Sequence, residues 1–229
     1  MNSLSNKIPS PNFYQIVLNS ANYKQGAAND GYWRVNIPGC IPDKLYYLEV
    51  SRCYIQDIDN PNASDLLPQR RWSQQRFSEL IQAVHQRYPD DLILITGSPA
   101  EFVYVDKVRF VANVKNALNF AGQVSFSELP PLYTLSDVMV TNDSGPGHFS
   151  AVTPLRTVVL FGPETPALYG SIGNSIAITA NLACSPCVSA ANHRKTPCHD
   201  NVCMQAISVA QVLEKVNIQL QEADKAKGR

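Results

Sequence analysis

The apolar positions of this chain keep two different periods. Between residues 13 and 55 they come in short aromatic and β-branched runs: Phe13-Tyr14-Gln15-Ile16-Val17-Leu18, Tyr32-Trp33-Arg34-Val35-Asn36-Ile37, and the longer stretch 45–55. Gly26, Asn29-Asp30-Gly31, Pro38-Gly39 and Pro42 separate them. Such runs between turn residues predict two or three antiparallel strands, a short β-rich segment over residues 1–58. Near Asp59 the pattern changes. Asn60-Pro61-Asn62-Ala63-Ser64 reads as a loop, and Phe77, Leu80, Ile81, Val84 and Tyr88 then fall at i, i+3, i+4, i+7 and i+11. That is the apolar face of a helix, with Ser73 to cap it and Pro89 to end it.

Leu92-Ile93-Leu94-Ile95 is apolar without a break, as a strand buried on both faces is. A helix is expected from near Ala100, a short strand over 118–121, and a weak helix over 126–135 that Pro130-Pro131 must kink or delay. Strands at 138–140, 157–161 and 176–179 follow, and a last helix runs from Ser208 to about Leu220. The polar tail 221–229 is expected to fray. Strands alternating with amphipathic helices predict an α/β fold, a doubly wound parallel sheet occupying residues 59–220. Sheets of that kind bind ligands at the carboxyl ends of their strands. The turns at Gly97, Gly122, 143–145 and Gly162 all lie at those ends.

One of these turns has the composition of a ligand site. Val138-Met139-Val140 leads into Asn142-Asp143-Ser144-Gly145-Pro146-Gly147, and helical pattern resumes at His148. A strand turning tightly into a helix aims unpaired N–H groups at one point, and glycine lets a phosphate come close to them. The same residues also suit a plain helix cap at Asp143 or Ser144. Taken alone, the turn supports both readings equally; its place at a strand end moves the phosphate reading ahead.

Composition narrows the rest. The 229 residues are 45% hydrophobic and 17% charged, with 19 basic residues against 19 acidic ones. That balance fits a globular protein and lacks the basic stripe of a nucleic-acid binder. The opening MNSLSNKIPSPN has no apolar core of a signal peptide, and no apolar stretch is long enough for a membrane span. A cytoplasmic location is the expectation.

NASDLLPQRRW, NDSGPGH, LFGPETPALYG and CSPC followed by two further cysteines occur in order over roughly residues 59–216. Together they resemble the donor-binding half of glycosyltransferase family 9, the lipopolysaccharide heptosyltransferases and their relatives. The resemblance implies a Rossmann-like lobe of a two-lobed GT-B fold that binds a nucleotide sugar. It also implies inverting, metal-independent sugar transfer to a glycan or lipid-linked acceptor, at the inner face of the membrane. ADP and heptose are the pair used by the family's best-known members. Carried over by position, Asp143, Ser144, Gly145 and His148 match the donor-site motif, with Ser144 and Gly145 donating to the pyrophosphate. Asp143 suits a sugar hydroxyl or the helix start better than a phosphate, since like charges repel. Arg70 and Arg71 match a basic pair, Arg70 standing where a phosphate-binding lysine is common. Glu101 matches the acid that accepts from the ribose, or else it serves its own helix start.

The family's acceptor lobe and its general-base aspartate would precede this lobe. Residues 1–58 offer Asp30, Asp43 and Asp57 without a motif, so no catalytic residue is assigned, and a partner chain supplying the acceptor lobe is one expectation. A non-catalytic nucleotide-sugar-binding or interaction module is the other. No cofactor is implied. Cys184, Cys187, Cys198 and Cys203 are spaced either for a structural zinc or for reduced thiols, with a disulfide last.

Overall fold

The computed structural model describes residues 53–57, 68–193 and 195–228. Six parallel strands form one sheet in the order β3-β2-β1-β4-β5-β6. They are β1 (Cys53–Asp57), β2 (Leu92–Thr96), β3 (Ala117–Asn119), β4 (Val138–Asn142), β5 (Arg156–Phe161) and β6 (Ser175–Thr179). The order runs outward from the centre in both directions, so the direction in which strands are added reverses between the parallel neighbours β1 and β4, where Gln56 pairs with Val140 and Asp57 with Thr141. This is the switch point at which doubly wound sheets open a crevice.

The helices are α1 (Gln74–Arg87), α2 (Phe102–Ala112), α3 (Leu129–Leu135), α4 (Gly145–Phe149), α5 (Pro166–Tyr169), α6 (Val202–Gln205) and α7 (Val209–Lys227). Along each central strand, alternate side chains enter opposite cores. Ile93, Ile95, Val138, Val140, Val158 and Leu160 pack with Phe77, Leu80, Ile81 and Val84 of α1, Val105 and Val108 of α2, and Val212 and Val216 of α7. Leu92, Leu94 and Met139 face the other way, against Phe120, Leu132, Tyr133 and Leu155. The sheet is covered on both faces, and the expected α/β architecture is found.

Local expectations fare unevenly. The Ser73 side chain accepts from the Arg76 N–H as expected, and Phe77, Leu80, Ile81 and Val84 of α1 are buried, with Tyr88 half-buried at its end. Pro130 and Pro131 sit in the first turn of α3, where a missing N–H costs nothing, so they start that helix after a 3-10 turn at Phe126–Glu128 and kink nothing. Two boundaries need correction. β1 lies within the segment expected to be a separate β-rich piece, yet it pairs with both β2 and β4. The lobe therefore starts before residue 59. Its residues, Cys-Tyr-Ile-Gln-Asp, lack the unbroken apolar run that marks β2. The remaining N-terminal expectations, residues 1–52, lie outside the described residues. The second correction is at the other end: α7 continues through Lys227 instead of fraying from 221, with Ala223 4% exposed and Gly228 closing it at φ 67°. A buried small side chain and a left-handed glycine are enough to extend it.

Candidate functional site

β4 ends in a turn whose polar groups are already organised. The Asp143 N–H donates to Leu160 O across the β4–β5 pair at 3.0 Å, which fixes where the chain leaves the sheet. Ser144 stands at the start of α4 in extended backbone, and its side chain makes no capping bond. Its hydroxyl lies 3.2 Å from that of Thr141 instead. An added Cβ at Gly147 would touch Thr141 and Val159 at ordinary contact distance, so α4 packs closely on the sheet. His148 follows in the last turn of α4 and is exposed.

Arg70 approaches this turn from the segment that precedes α1. Its Nη1 donates to Asp143 O at 2.9 Å and stands 3.8 Å from Asp143 Oδ2. On another side the same nitrogen lies 3.6 Å from Glu164 Oε2. Glu164 belongs to the turn after β5, and its side chain is 2% exposed against 4% for Asp143 and 21% for Arg70. One guanidinium is thus set between two buried carboxylates at the carboxyl ends of β4 and β5. The buried Nε of Arg70 has no hydrogen-bond partner among the described residues.

Neighbouring segments hold Arg70 in place. The Trp72 N–H donates to Asn142 Oδ1 at 3.1 Å, tying the segment to the last residue of β4. The Trp72 indole N–H donates to Ile207 O at 2.9 Å, and the ring is 1% exposed with Phe77 edge-on at 5.1 Å. Gln69 Nε2 donates to Cys198 O at 2.7 Å, and Asn201 Nδ2 donates to Arg71 O at 2.8 Å. The cysteine segment therefore braces both arginines. It is itself fastened to the β5 turn, where the Cys187 and Val188 N–H groups share Pro163 O at 2.8 and 2.9 Å.

The structure brings Arg70, Asp143, Ser144 and Gly145 together, with His148 one turn on and half-buried Arg71 beside Arg70. Glu101 stands apart in role. Its Oε2 accepts from the Ser98 N–H in a capping box that opens the 3-10 turn before α2, and the residue is 2% exposed. That is the helix-start duty, written in the sequence as Ser98-Pro99-Ala100-Glu101. Glu164 was not foreseen. It lies in LFGPETPALYG, but nothing local to it pointed to a partner so far back in the chain.

Cys184, Cys187, Cys198 and Cys203 are free thiols, ranging from exposed Cys184 to buried Cys203. Among the described residues no three His, Cys, Asp or Glu side chains gather as a metal site, so the zinc reading finds no ligand set there. Burial pushes the Cys203 thiol above its ordinary range, and the charges of Cys187 and Cys198 push it the same way. No helix among the described residues is long and apolar enough to cross a membrane.

Known proteins provide the remaining context. The family described as glycosyltransferase family 9 (heptosyltransferase) matches residues 50–197. Lipooligosaccharide heptosyltransferase 2 of Campylobacter jejuni subsp. jejuni serotype O:2 is 26% identical over 160 residues, covering 68% of this chain and 48% of that protein. The structure of E. coli ADP-heptose lps heptosyltransferase II superposes with a TM-score of 0.60 at 17% identity, covering 76% of this chain and 47% of the other. A family 9 glycosyl transferase from Veillonella parvula superposes at 0.58 and 20% identity, over 75% of this chain and 47% of its own. These two likenesses concern the fold. The chain spans about half the length of the curated relative it matches.

Proposed function

The chain belongs to glycosyltransferase family 9, and from that premise we propose that it binds a nucleotide-sugar donor at the turn after β4 and serves transfer of the sugar to a lipopolysaccharide-type acceptor. The observation that carries the proposal is Arg70 reaching the Asp143 carbonyl beside the β1–β4 switch point. A cation and a glycine turn then meet at the carboxyl ends of the central strands, where doubly wound folds take their ligands. In this reading the Arg70 guanidinium and the Ser144 and Gly145 N–H groups receive the diphosphate, and the unpartnered Arg70 Nε–H turns to one of its oxygens. Arg71 adds positive charge at the mouth of the site. His148, exposed one helical turn beyond Ser144, faces the same ligand.

Transfer by this route is inverting and needs no metal. Arginine and backbone donors answer the charge that builds on the leaving diphosphate as the bond between the sugar's anomeric carbon and the phosphate oxygen breaks and the glycosidic bond to the acceptor hydroxyl forms. ADP-heptose is the donor suggested by the name of a structural neighbour, and ADP is the first nucleotide to test. The attacking hydroxyl needs a general base within hydrogen-bond reach. None of the site residues above is assigned that task, so the base and the acceptor come from outside the described lobe.

A second reading rests on the site residues described above, none of which is assigned as the general base. It is a lobe that holds a nucleotide sugar without turning it over. Two measurements separate the readings. Melting with ADP, UDP or GDP tests binding, and a rise with at least one of them is expected. Donor consumption with a lipopolysaccharide acceptor, with and without a chelator, then tests turnover. Binding without consumption favours the second reading, and no shift with any nucleotide overturns both.

A further inference from the structure

One face of α2 is packed on the sheet, and the opposite face is apolar as well. Val105, Val108 and Ala112 enter the core beneath the helix. On the outside, Val103 is 66% exposed and Phe110 77%, with Phe102 at 46% and Val111 at 49%. These four line a surface hollow of about 280 Å³ together with Asp106 and Lys107. At about 100° per residue, Val103 and Phe110 fall on one line along the helix, about two turns apart. Asp106 flanks that line on one side and Lys107 on the other. A helix facing only water carries polar residues along such a line. An exposed apolar seam rimmed by charges marks a contact surface instead.

We propose that the outer face of α2 docks on the same face of a second copy of this chain, the two helices running parallel about a two-fold axis. The charges select both the occupant and its orientation. In a parallel pair, Val103 and Phe110 each meet their own counterpart across the axis. Asp106 then lies beside the partner's Lys107, and the symmetry makes the contact twice. In an antiparallel pair, Asp106 would face the partner's Asp106 and Lys107 the partner's Lys107, and like charges across an interface repel. Asp106 accepts from the Arg109 Nε through Oδ1 at 2.8 Å, which leaves Oδ2 to face the second cation. α2 runs back along the sheet in the crossover from β2 to its parallel neighbour β3, so the axis follows the strand direction. Both β4 turns therefore open on the same side of the pair. A helix of 11 residues is about 16 Å long, and a seam of that length buries less than the roughly 800 Å² per partner of a stable complex. The dimer is accordingly weak, with a dissociation constant on the order of 10–100 μM.

Sedimentation equilibrium on the full chain, from about 2 to about 300 μM, spans that constant. The unaltered protein is expected to pass from monomer to dimer across the range. Phe110→Ser alters an exposed side chain and should weaken the dimer about tenfold. Asp106→Lys alone and Lys107→Asp alone should each weaken it by a similar factor, because each sets like charges side by side. The double exchange, Asp106→Lys with Lys107→Asp, should return the dimer to within about threefold of the unaltered protein. That recovery cannot come from the contact with Arg109, which the double exchange does not rebuild at position 106. A monomer at every concentration overturns the inference. So does a dimer that keeps its strength in Phe110→Ser, since it must use another face. Losses in the single variants without recovery in the double exchange also overturn it. Should a variant fail to fold, carbodiimide coupling of the unaltered chain at high concentration provides a second measurement. The covalent dimer should join Asp106 to the partner's Lys107, and a dimer joined only elsewhere refutes the parallel pair.

Discussion

Gly145→Ala separates what the fold needs from what a ligand needs. Gly145 opens α4, and its φ lies outside the left-handed region, so alanine fits the backbone without strain. A Cβ there would come within 3.2 Å of Phe149 Cε2, but that ring is 42% exposed and can rotate away. Replacing glycine by alanine at a compatible position favours the folded state by about 0.4–1 kcal/mol, and the crowded ring offsets a similar amount. The unliganded variant should then melt within about 4 °C of the unaltered protein, given roughly 2–4 °C per kcal/mol for a chain of this size. A bound phosphate would feel the methyl directly, since it must approach the N–H groups at that turn. At a hundredfold excess over its dissociation constant, a nucleotide stabilises the unaltered chain by about 2.7 kcal/mol. If the variant binds tenfold more weakly, the same concentration supplies roughly 1.4 kcal/mol, and the melting shift halves. Differential scanning fluorimetry with ADP, UDP and GDP measures both quantities on the same samples. An unchanged unliganded melt with an undiminished nucleotide shift would show that no phosphate approaches Gly145. The placement of the donor at this turn would then be wrong.

Other positions test the fold more than the site. Gly122→Ala meets two obstacles, a φ of +71° and the Pro99 Cα at 2.8 Å from the new Cβ, so urea unfolding should show a loss of about 1–3 kcal/mol. Trp72→Ala removes a ring that is 1% exposed and hydrogen-bonded to Ile207 O, and is expected to cost about 3–5 kcal/mol in the same assay. Alkylation followed by peptide mapping should label exposed Cys184 first and buried Cys203 last among the four cysteines of residues 184–203. Because the folded Cys203 thiol titrates above its unfolded value of 9.0, its contribution to stability is complete below that pH and falls as pH rises past it. Urea midpoints compared between pH 8 and 10 should therefore decline less in Cys203→Ala than in the unaltered chain.

How much of this was legible depended on whether the determining partner was near in sequence. α1 was readable because its period, its Ser73 cap and the proline that ends it all lie within 17 residues of one another. The β4 turn was readable because glycine and proline declare tight turns wherever they occur. β1 was only thinly marked, as a candidate over residues 54–58, since a strand that mixes polar and apolar residues shows its place only when its neighbours on both sides are known. The end of α7 depended on the burial of one alanine and on a glycine adopting a left-handed conformation, neither visible as periodicity. At the site, the motif residues were found, but their relations were not. Arg70 was legible as a match to a phosphate-binding position, and only the assembled sheet brings Glu164 from the β5 turn to its side. Glu101 was legible both ways, and of the two it is the capping box with Ser98 that is local to the sequence and visible in the structure.

The bracing of the 69–72 segment has a consequence for how the protein is made. Gln69 and Trp72 take their partners from Cys198 and Ile207, near the end of the chain. A ribosome that has delivered β1 through β6 has already released both arginines and the glycine turn, yet Arg70 and Trp72 then have their partners at Asp143, Glu164 and Asn142 without the contacts that brace their segment from behind. The pocket is assembled late, when the last quarter of the chain emerges and closes behind it. A nascent or prematurely terminated product would carry Arg70 and the glycine turn and still lack the two contacts that brace the 69–72 segment.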